Sequence, residues 1–332
     1  MKIAVDAMGG DLAPAAAVDG ALTASREFGL EILLVGRPGD VKPLLDKRGG
    51  GGPRIELVEA SEVVEMHDAP AQAVRRKKDA SLVVCADLVK EGRAAAMFSA
   101  GNTGAGMAVS LFKLGRIPGI ERPALAILLP NRGGLTVLLD AGANVDVPPL
   151  CLQQYAVMGS IYARELLGVP EPRVGLVNIG EEEGKGNELA RDAFMLLNEA
   201  PVRFIGNVEG PDLFNGRVDV AVCDGFTGNV ILKVGEGVAE FLKYLIKDEI
   251  ERSPVLKLPA ALLAPAFRRI HRRTDYGERG GAPLLGVNGI CLIGHGRSNS
   301  TAISNAIRTA AEAVRHGVID KIREQIAPRA VV

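Results

Sequence analysis

Short apolar runs alternate with longer segments of helical spacing along the whole chain, and this alternation constrains the fold more than any other feature. Gly, Asp or Asn bounds most of the apolar runs, as expected for buried strands that lead into covering helices. The predicted strands span residues 2–5, 31–35, 54–58, 94–99, 124–129, 135–140, 173–179, 202–206, 218–223 and 289–293. The predicted helices span residues 14–28, 41–47, 71–90, 104–114, 149–167, 187–198, 229–250 and 299–326. We therefore expect an α/β fold with one continuous, mostly parallel sheet, forming a single domain over residues 1–332.

Composition excludes several classes of protein. The net charge is −1, from 39 basic and 40 acidic residues, and no run resembles the basic face that nucleic-acid binding needs. Four separated cysteines lie in apolar runs, which indicates reduced core residues: Cys85, Cys151, Cys223 and Cys291. The first predicted strand leaves no room for a signal peptide, and no apolar stretch is long enough for a membrane span, so we expect a cytoplasmic location.

Polar, Gly-rich loops follow five of the predicted strands. They span residues 6–11, 99–104, 178–187, 224–229 and 294–300. In open parallel sheets, ligands bind beyond the carboxyl ends of the strands, where loops and helix N-termini meet. The sequence therefore predicts a cleft lined by these five loops.

The loop 99–104 leads directly into an apolar helix, which favours an anion at the helix N-terminus. Its candidate phosphate-binding residues are Ser99, Gly101, Asn102, Thr103 and Gly104, and the loop 6–11 adds Asp6, Gly9 and Gly10. An ordinary turn capped by Asn102 or Thr103 is the alternative. The glycines have the order G-x-x-G-x-G, so a dinucleotide site is not supported.

Lys185 stands between two glycines in the loop 178–187 and can bring a mobile positive charge to a phosphate or a developing oxyanion. The spacing of Gly180 and Gly184 excludes a Walker A loop. The alternative is a solvated surface lysine, balanced by the glutamates at 181–183.

Asn229 and Thr227 lie at the mouth of a long predicted helix, where the Asn229 amide can donate to a carbonyl oxygen as it becomes an oxyanion. The alternative is that Asn229 caps the helix. His67 and His295 are further site candidates, with a structural role as the alternative. The histidines have no metal-ligand spacing, and neither a G-x-S-x-G elbow nor a Cys–His pair indicates a covalent intermediate.

Five motifs together resemble the bacterial phosphate acyltransferase (PlsX) family, in order and over nearly the whole chain. They are IAVDAMGGD at 3–11, SAGNTGA at 99–105, NIGEE at 178–182 with Lys185 and Gly186, GNVEG at 206–210, and CDGFTGN at 223–229. The resemblance implies conversion of a long-chain acyl-acyl-carrier-protein and inorganic phosphate into acyl phosphate and free carrier. It also implies a three-layer α/β/α sandwich similar to phosphotransacetylases and isocitrate-type dehydrogenases.

The resemblance further implies a homodimer that visits the membrane, with no metal or organic cofactor, and an enzyme of phospholipid synthesis. A membrane acyltransferase that uses acyl phosphate is a candidate partner. In this chemistry phosphate attacks the thioester directly, and we expect Lys185 and Asn229 to contact the carbonyl oxygen and phosphate. Three alternatives remain: a phosphotransacetylase that uses a short acyl-CoA, a non-catalytic anion-binding protein, and, less favoured, an isocitrate-type dehydrogenase.

Residues 253–285 interrupt the alternation, and three prolines predict short helical pieces there. Leu258, Leu262, Leu263 and Phe267 precede a cluster of arginines, a composition typical of a helix that lies on an anionic membrane. Burial in a dimer interface is the alternative. An acidic carrier protein would dock on basic residues, either at 75–78 or after Phe267, although 75–78 can equally be a solvated helix face.

Overall fold

The computed structural model describes residues 1–274 and 280–326 and confirms the α/β class. Its strands are β1 Lys2–Asp6, β2 Glu31–Gly36, β3 Ile55–Glu59, β4 Ala96–Ser99, β5 Ala124–Leu125, β6 Ile127–Pro130, β7 Leu135–Leu139, β8 Arg173–Val177, β9 Arg203–Val208, β10 Val220–Val222, β11 Ala282–Leu285 and β12 Ile290–Ile293. Its α-helices are α1 Ala15–Phe28, α2 Pro38–Lys47, α3 Pro70–Arg76, α4 Ser81–Lys90, α5 Thr103–Val109, α6 Pro149–Leu167, α7 Glu188–Asn198, α8 Asp212–Asn215, α9 Gly225–Arg252, α10 Pro254–Thr274, α11 Ser300–Arg315 and α12 Val318–Ile326. A 3₁₀ turn, Gly52–Arg54, precedes β3, and a π-helical turn, Ser110–Leu114, follows α5.

The strands form two sheets, so the expectation of one continuous sheet is wrong. One sheet has the order β3-β2-β1-β4-β12-β11-β5, and the other has the order β6-β7-β10-β8-β9. The predicted strand 124–129 divides at Ala126, because β5 pairs with β11 whereas β6 pairs with β7. Antiparallel pairs occur where β11 meets β12 and β5, and where β6 meets β7; the other pairs are parallel.

Helices cover both faces of each sheet, because alternate strand residues enter different apolar clusters. In β1, Ile3 and Val5 belong to a large cluster with α1 and α11, whereas Ala4 belongs to a second cluster with α4 and α5. The large cluster also contains Val137 of the second sheet and most of α6. A third cluster lies on the opposite face of the second sheet and includes Leu138. This is the three-layer arrangement that the motifs implied.

Two predicted helices are each divided in the structure. The helix predicted at 71–90 is α3 followed by α4, because the Asp79 carboxylate accepts hydrogen bonds from the backbone and hydroxyl of Ser61 and holds the intervening segment off the helix axis. The helix predicted at 299–326 divides at Gly317, whose φ of +62° ends α11 and redirects the chain into α12. Tertiary contact and a glycine therefore override local periodicity.

The segment 253–285 also differs from expectation. Pro259 and Pro265 do not divide it into short pieces, since α10 runs through both. Both prolines are exposed, so water can reach the carbonyl groups that lose their helical partner. Strand β11 follows within the same segment and was not predicted. In the described ranges, no helix has the length and apolar content needed to cross a bilayer.

Candidate active site

Strand register places the predicted loops at two sheet edges. In the first sheet Val5 is paired with Phe98, and Ser99 with Ile293, so the loops 6–11, 99–104 and 294–300 leave the sheet side by side. In the second sheet Val222 pairs with both Leu139 and Leu176, which brings the loops 178–187 and 224–229 to one edge together with the loop after β7.

Asp6 and Ser99 join the first two loops beneath the surface. The Ser99 hydroxyl donates to Asp6 Oδ2 at 2.7 Å and accepts from the backbone amide of Gly101 at 3.1 Å. Burial raises the pKa of the Asp6 carboxyl, while hydrogen bonds from Ser99 and the amide of Met8 oppose that shift. The Ser99 hydroxyl thus acts within the protein, as a bridge between two loops.

Gly9 and Gly10 allow the loop 6–11 to approach its neighbours. A Cβ on Gly9 would lie 2.8 Å from the amide nitrogen of Gly101, and Gly10 has a φ of +104° that favours glycine. The next residue, Asp11, donates its amide to Gly296 O at 2.7 Å. These contacts fix the loop 6–11 against the loops after β4 and β12.

Asn102 caps α5, as one of the two alternatives predicted. Its Oδ1 accepts from the amide of Ala105 at 3.0 Å, and its Nδ2 donates to Met66 O and Asp68 O at 3.0 and 3.1 Å. The side chain therefore holds the loop that carries exposed His67 beside the start of α5. Thr103 is exposed at the same helix end, and Gly104 packs against Pro70.

His295 lies in the loop that follows β12, next to Gly296, and a Cβ on Gly296 would lie 3.1 Å from the terminal methyl carbon of Met66. Its side chain is exposed, and its Nδ1 accepts from the amide of Arg297 at 3.2 Å. The loop that carries His67 thus contacts the segment 99–104, and the loop that carries His295 contacts the segment 6–11. Neither histidine is in a buried ion pair.

The loop after β7, residues 140–144, was not predicted as part of the site. Buried Asp140 organises it by accepting from the amides of Leu125, Ala143 and Asn144 at 3.0, 2.9 and 2.7 Å. Asn144 Nδ2 in turn donates to Asp140, to Pro123 O and to the hydroxyl of Tyr155. Burial raises the pKa of the Asp140 carboxyl, and these donors oppose the shift. The signal was present in the sequence, because this loop too is polar, contains Gly142 and follows a strand.

Helix α9 begins directly on the loop 140–144. Asp224 is its N-cap, accepting from both the amide and the hydroxyl of Thr227 at 2.8 and 2.7 Å. The alternative in which Asn229 caps the helix is therefore wrong. The first turn of α9 lies so close to the loop 140–144 that a Cβ on Gly228 would be 1.8 Å from Asp140 O.

Asn229 lies in the second turn of α9, exposed and directly above Gly142. The position of a Cβ on Gly142 is 3.4 Å from both Cβ and Cγ of Asn229. Among the described residues, no hydrogen bond is formed by the Asn229 amide, so its donors are available to a ligand.

Lys185 projects from a loop that is anchored by two asparagines. Asn178 Nδ2 donates to Lys185 O at 3.0 Å, and Asn207 Nδ2 donates to Glu182 O at 2.8 Å. The ammonium group lies 3.8 Å from a Glu182 carboxylate oxygen, and the Lys185 side chain is half exposed. The backbone is thus fixed while the charge remains free to move.

The two sheet edges meet through Ala143. This residue packs against the second apolar cluster, together with Met107 and Ala108 of α5. The loop below Asn229 therefore contacts the same cluster as the helix that follows Ser99. Within residues 1–274 and 280–326, no group of three His, Cys, Asp or Glu side chains could hold a metal ion.

Comparisons with known proteins bear on the family and the fold of the chain. A family described as "Fatty acid synthesis protein" matches residues 1–321. The protein named phosphate acyltransferase from Heliobacterium modesticaldum is 56% identical over 327 residues, covering 98% of each chain. The phosphate acyltransferase of Pelotomaculum thermopropionicum is 53% identical, over 98% of this chain and 95% of that one. A phosphotransacetylase from Streptococcus pyogenes shares the fold, with a TM-score of 0.66, 19% identity, and coverage of 95% of this chain and 94% of that chain.

Proposed function

We propose that this chain, which belongs to the fatty acid synthesis protein family and is an acyltransferase, makes acyl phosphate from a long-chain acyl-acyl-carrier-protein and inorganic phosphate. Family membership confirms the resemblance read from the motifs. The observation that carries the substrate proposal is the exposed, unbonded side-chain amide of Asn229 beside Gly142, at a sheet edge where helix N-termini favour an anion.

The proposed reaction is direct attack. An oxygen of hydrogen phosphate forms a bond to the thioester carbonyl carbon, and the C–S bond breaks as the tetrahedral oxyanion collapses. The sulfur leaves with the electron pair and receives the proton that hydrogen phosphate carried, so the products are acyl phosphate and the free thiol. No nucleophile from the protein is needed, and the protein must orient two substrates and stabilise an oxyanion.

The contacts suggest a division of roles between the predicted residues. Asn229 donates to the developing oxyanion, and the mobile charge of Lys185 neutralises phosphate or that oxyanion. Thr103, which is exposed at the N-terminus of α5, contacts phosphate. Ser99 and Asn102 position the neighbouring loops and do not contact phosphate themselves, because their polar atoms are already hydrogen-bonded within the protein.

The test is incubation of purified protein with palmitoyl-acyl-carrier-protein and phosphate, with mass-spectrometric detection of acyl phosphate. Lys185→Ala and Asn229→Ala should each lower turnover by about 100- to 1,000-fold, since each removes one group that stabilises the oxyanion. Lys42→Ala is the matched control, because Lys42 is an exposed lysine on α2, outside the cleft. Near wild-type turnover in both site variants, with normal folding, would contradict the assignment.

A phosphotransacetylase acting on short acyl-CoA shares the fold and remains the second candidate, favoured only by the structural likeness. Competition between palmitoyl-acyl-carrier-protein and acetyl-CoA separates the two functions. Preference for acetyl-CoA would overturn the carrier-protein proposal.

Helix α9 supports a homodimer. Only Gly225 and Gly228 of its 28 residues are buried, and an apolar stripe runs along its exposed surface. The stripe consists of Val230, Val234, Val238, Phe241 and Leu245, each between 39% and 59% exposed. Their spacing of three and four residues places them on one helical face, and such a face is usually covered by a partner. Val238→Glu should convert a dimer into a monomer in light scattering after gel filtration.

Helix α10 supports contact with a membrane. Leu262, Leu263 and Phe267 are 76%, 54% and 37% exposed, while the side chain of Leu258 lies outside the described residues. The product would be a lipid that needs delivery to a bilayer, which gives this exposed apolar surface a purpose. Flotation with anionic liposomes tests the contact, and an absence of binding would favour the dimer alternative.

The carrier protein is proposed to dock on α3. Arg75, Arg76 and Lys78 are exposed, whereas Lys77 is paired with Asp68 at 2.6 Å. The Arg75 guanidinium lies 5.1 Å from the centre of the Phe112 ring, which links α3 to the π-helical turn.

A further inference from the structure

We propose that a cavity beside the loop 140–144 binds a phosphodiester monoanion carried on the arm of the acyl donor, with Arg122 and Arg116 as its ligands. This inference rests on the proposed function, because it names how the acyl donor is held at the same site. Its ligand differs from inorganic phosphate, which is the second substrate.

The cavity has a volume of about 330 Å³ and lies between the π-helical turn and the loop 140–144. Its lining residues are Leu111, Arg116, Glu121, Arg122, Pro123 and Asn144. Asn144 is the residue that braces Asp140, and Asp140 supports the start of α9 and thus Asn229. An arm whose phosphodiester is bound here would therefore begin on the side of the loop 140–144 opposite Asn229 in the chain of contacts, and its thioester end would extend toward the proposed reaction centre.

Charge identifies the ligand class. The Arg122 guanidinium is exposed and forms no hydrogen bond or salt bridge with the described residues. Arg116 donates to the carbonyl oxygen of Glu121, which leaves its other donors available. Two arginines and the Glu121 carboxylate leave a net charge of about +1, which matches a phosphodiester more closely than a phosphate dianion.

The other large cavity provides a contrast. It has a volume of about 430 Å³ and also contains an arginine, Arg173. There, however, Asp219 accepts two hydrogen bonds from the guanidinium, at 2.8 and 2.9 Å, so the positive charge is already paired. Of these two cavities, only that at Arg122 offers an unpaired cation.

The cavity also adjoins the proposed docking surface. Leu111, which lines it, precedes Phe112, and Phe112 contacts Arg75 of α3. An acidic carrier on α3 would thus place the root of its prosthetic arm near the cavity. Leu111 and Pro123 supply apolar walls for the aliphatic part of such an arm.

The experiment compares three palmitoyl thioester donors with wild type and Arg122→Gln. They are the acyl-acyl-carrier-protein, the methyl phosphodiester of acyl-4′-phosphopantetheine, and acyl-pantetheine, which lacks the phosphate. We expect Arg122→Gln to raise KM about 10-fold or more for the two phosphorylated donors, since a hydrogen-bonded charge pair is lost. KM for acyl-pantetheine and KM for inorganic phosphate should stay unchanged. Arg315→Gln, an exposed arginine on α11, is the matched control and should change none of these values.

Every other outcome in which wild type is active overturns the inference. An effect on the carrier-protein donor alone would make Arg122 a docking contact for the protein, and a raised KM for inorganic phosphate would place the second substrate there. If wild type produced no acyl phosphate from any donor, the proposed function would fail on its own. Calorimetry with the methyl phosphodiester of 4′-phosphopantetheine and with pantetheine would still test the cavity in that case: equal affinity of the two for wild type would refute it.

Discussion

Gly228 sets the position of the proposed oxyanion donor, and Gly228→Ala is the most direct test of the site. A Cβ at this position would lie 1.8 Å from Asp140 O, 2.9 Å from Asp140 C and 3.1 Å from Cys223 Sγ. The first two atoms are backbone, so no rotation of a side chain can relieve the overlap. The start of α9 must instead move away from the loop 140–144.

The size of the movement follows from the contact distance. Cβ atoms are not found closer than 3.0 Å to such atoms, so the helix must retreat by at least about 1.2 Å. Asn229 is the next residue and moves with it. A displacement of about 1 Å in a catalytic group costs about 100-fold in rate. Because α9 buries only two residues, moving it should cost only about 1–3 kcal/mol of stability.

The assay measures kcat and the free energy of unfolding for the same preparations. Gly228→Ala should lose about 100-fold in kcat while it remains folded at 25 °C. Gly39→Ala in α2 is the control, because a Cβ there meets nothing within 4 Å and should leave kcat unchanged. A folded Gly228→Ala protein with wild-type kcat would refute the argument that α9 places Asn229 in the site.

Two further substitutions test the scaffold. Ser99→Ala should cost about 1–3 kcal/mol in denaturant unfolding, because it removes the buried hydroxyl that donates to Asp6 and accepts from the Gly101 amide, and wild-type stability would contradict the bridging role. Burial alone would raise the pKa of Asp219, but the bonds from Arg173 outweigh it and the pKa lies below its ordinary value. The ion pair therefore stabilises the fold above about pH 4, and this stabilisation is lost as the pH falls further. Arg173→Gln should lower the free energy of unfolding by about 1 kcal/mol at pH 7. In thermal unfolding, the difference in stability between this variant and wild type should become smaller below about pH 4. A difference that stayed constant with pH would contradict this account.

Local sequence signals located most elements, since their boundaries are marked by glycine, proline and apolar periodicity. The helix predicted at 149–167 has the bounds of α6, and β1 and β2 differ from prediction by one residue at one end. The division into two sheets could not be predicted in the same way. It depends on which distant strands pair with residues on either side of Ala126, and periodicity within 124–129 contains no information about those partners.

The rule about strand ends predicted that five loops follow the carboxyl ends of the strands, and it predicted a single cleft for all five. The structure places the loops of Asp6, Ser99 and His295 at one sheet edge and those of Lys185 and Asn229 at another. The loop 140–144 obeys the same rule and could have been included. The role of Ser99 could not be foreseen, because its hydroxyl is engaged by a residue 93 positions away. Arg122 could not be identified as a candidate ligand from the sequence, because the cavity that it lines is formed with residues distant in the chain, such as Leu111 and Asn144.

Helix α9 is about 42 Å long, yet its two buried residues, Gly225 and Gly228, both lie in its first turn. Asn229 lies next to these buried residues, near the end of the helix that contacts the loop 140–144. A small change of tilt at the N-terminal end of α9 produces a large displacement at its C-terminal end. Conversely, a contact that immobilises the C-terminal part of the helix also restricts the position of its N-terminal end. Binding of a partner to the exposed face of α9 and ligand binding at the Asn229 amide are therefore thermodynamically linked. Each binding event favours the other by the same free energy.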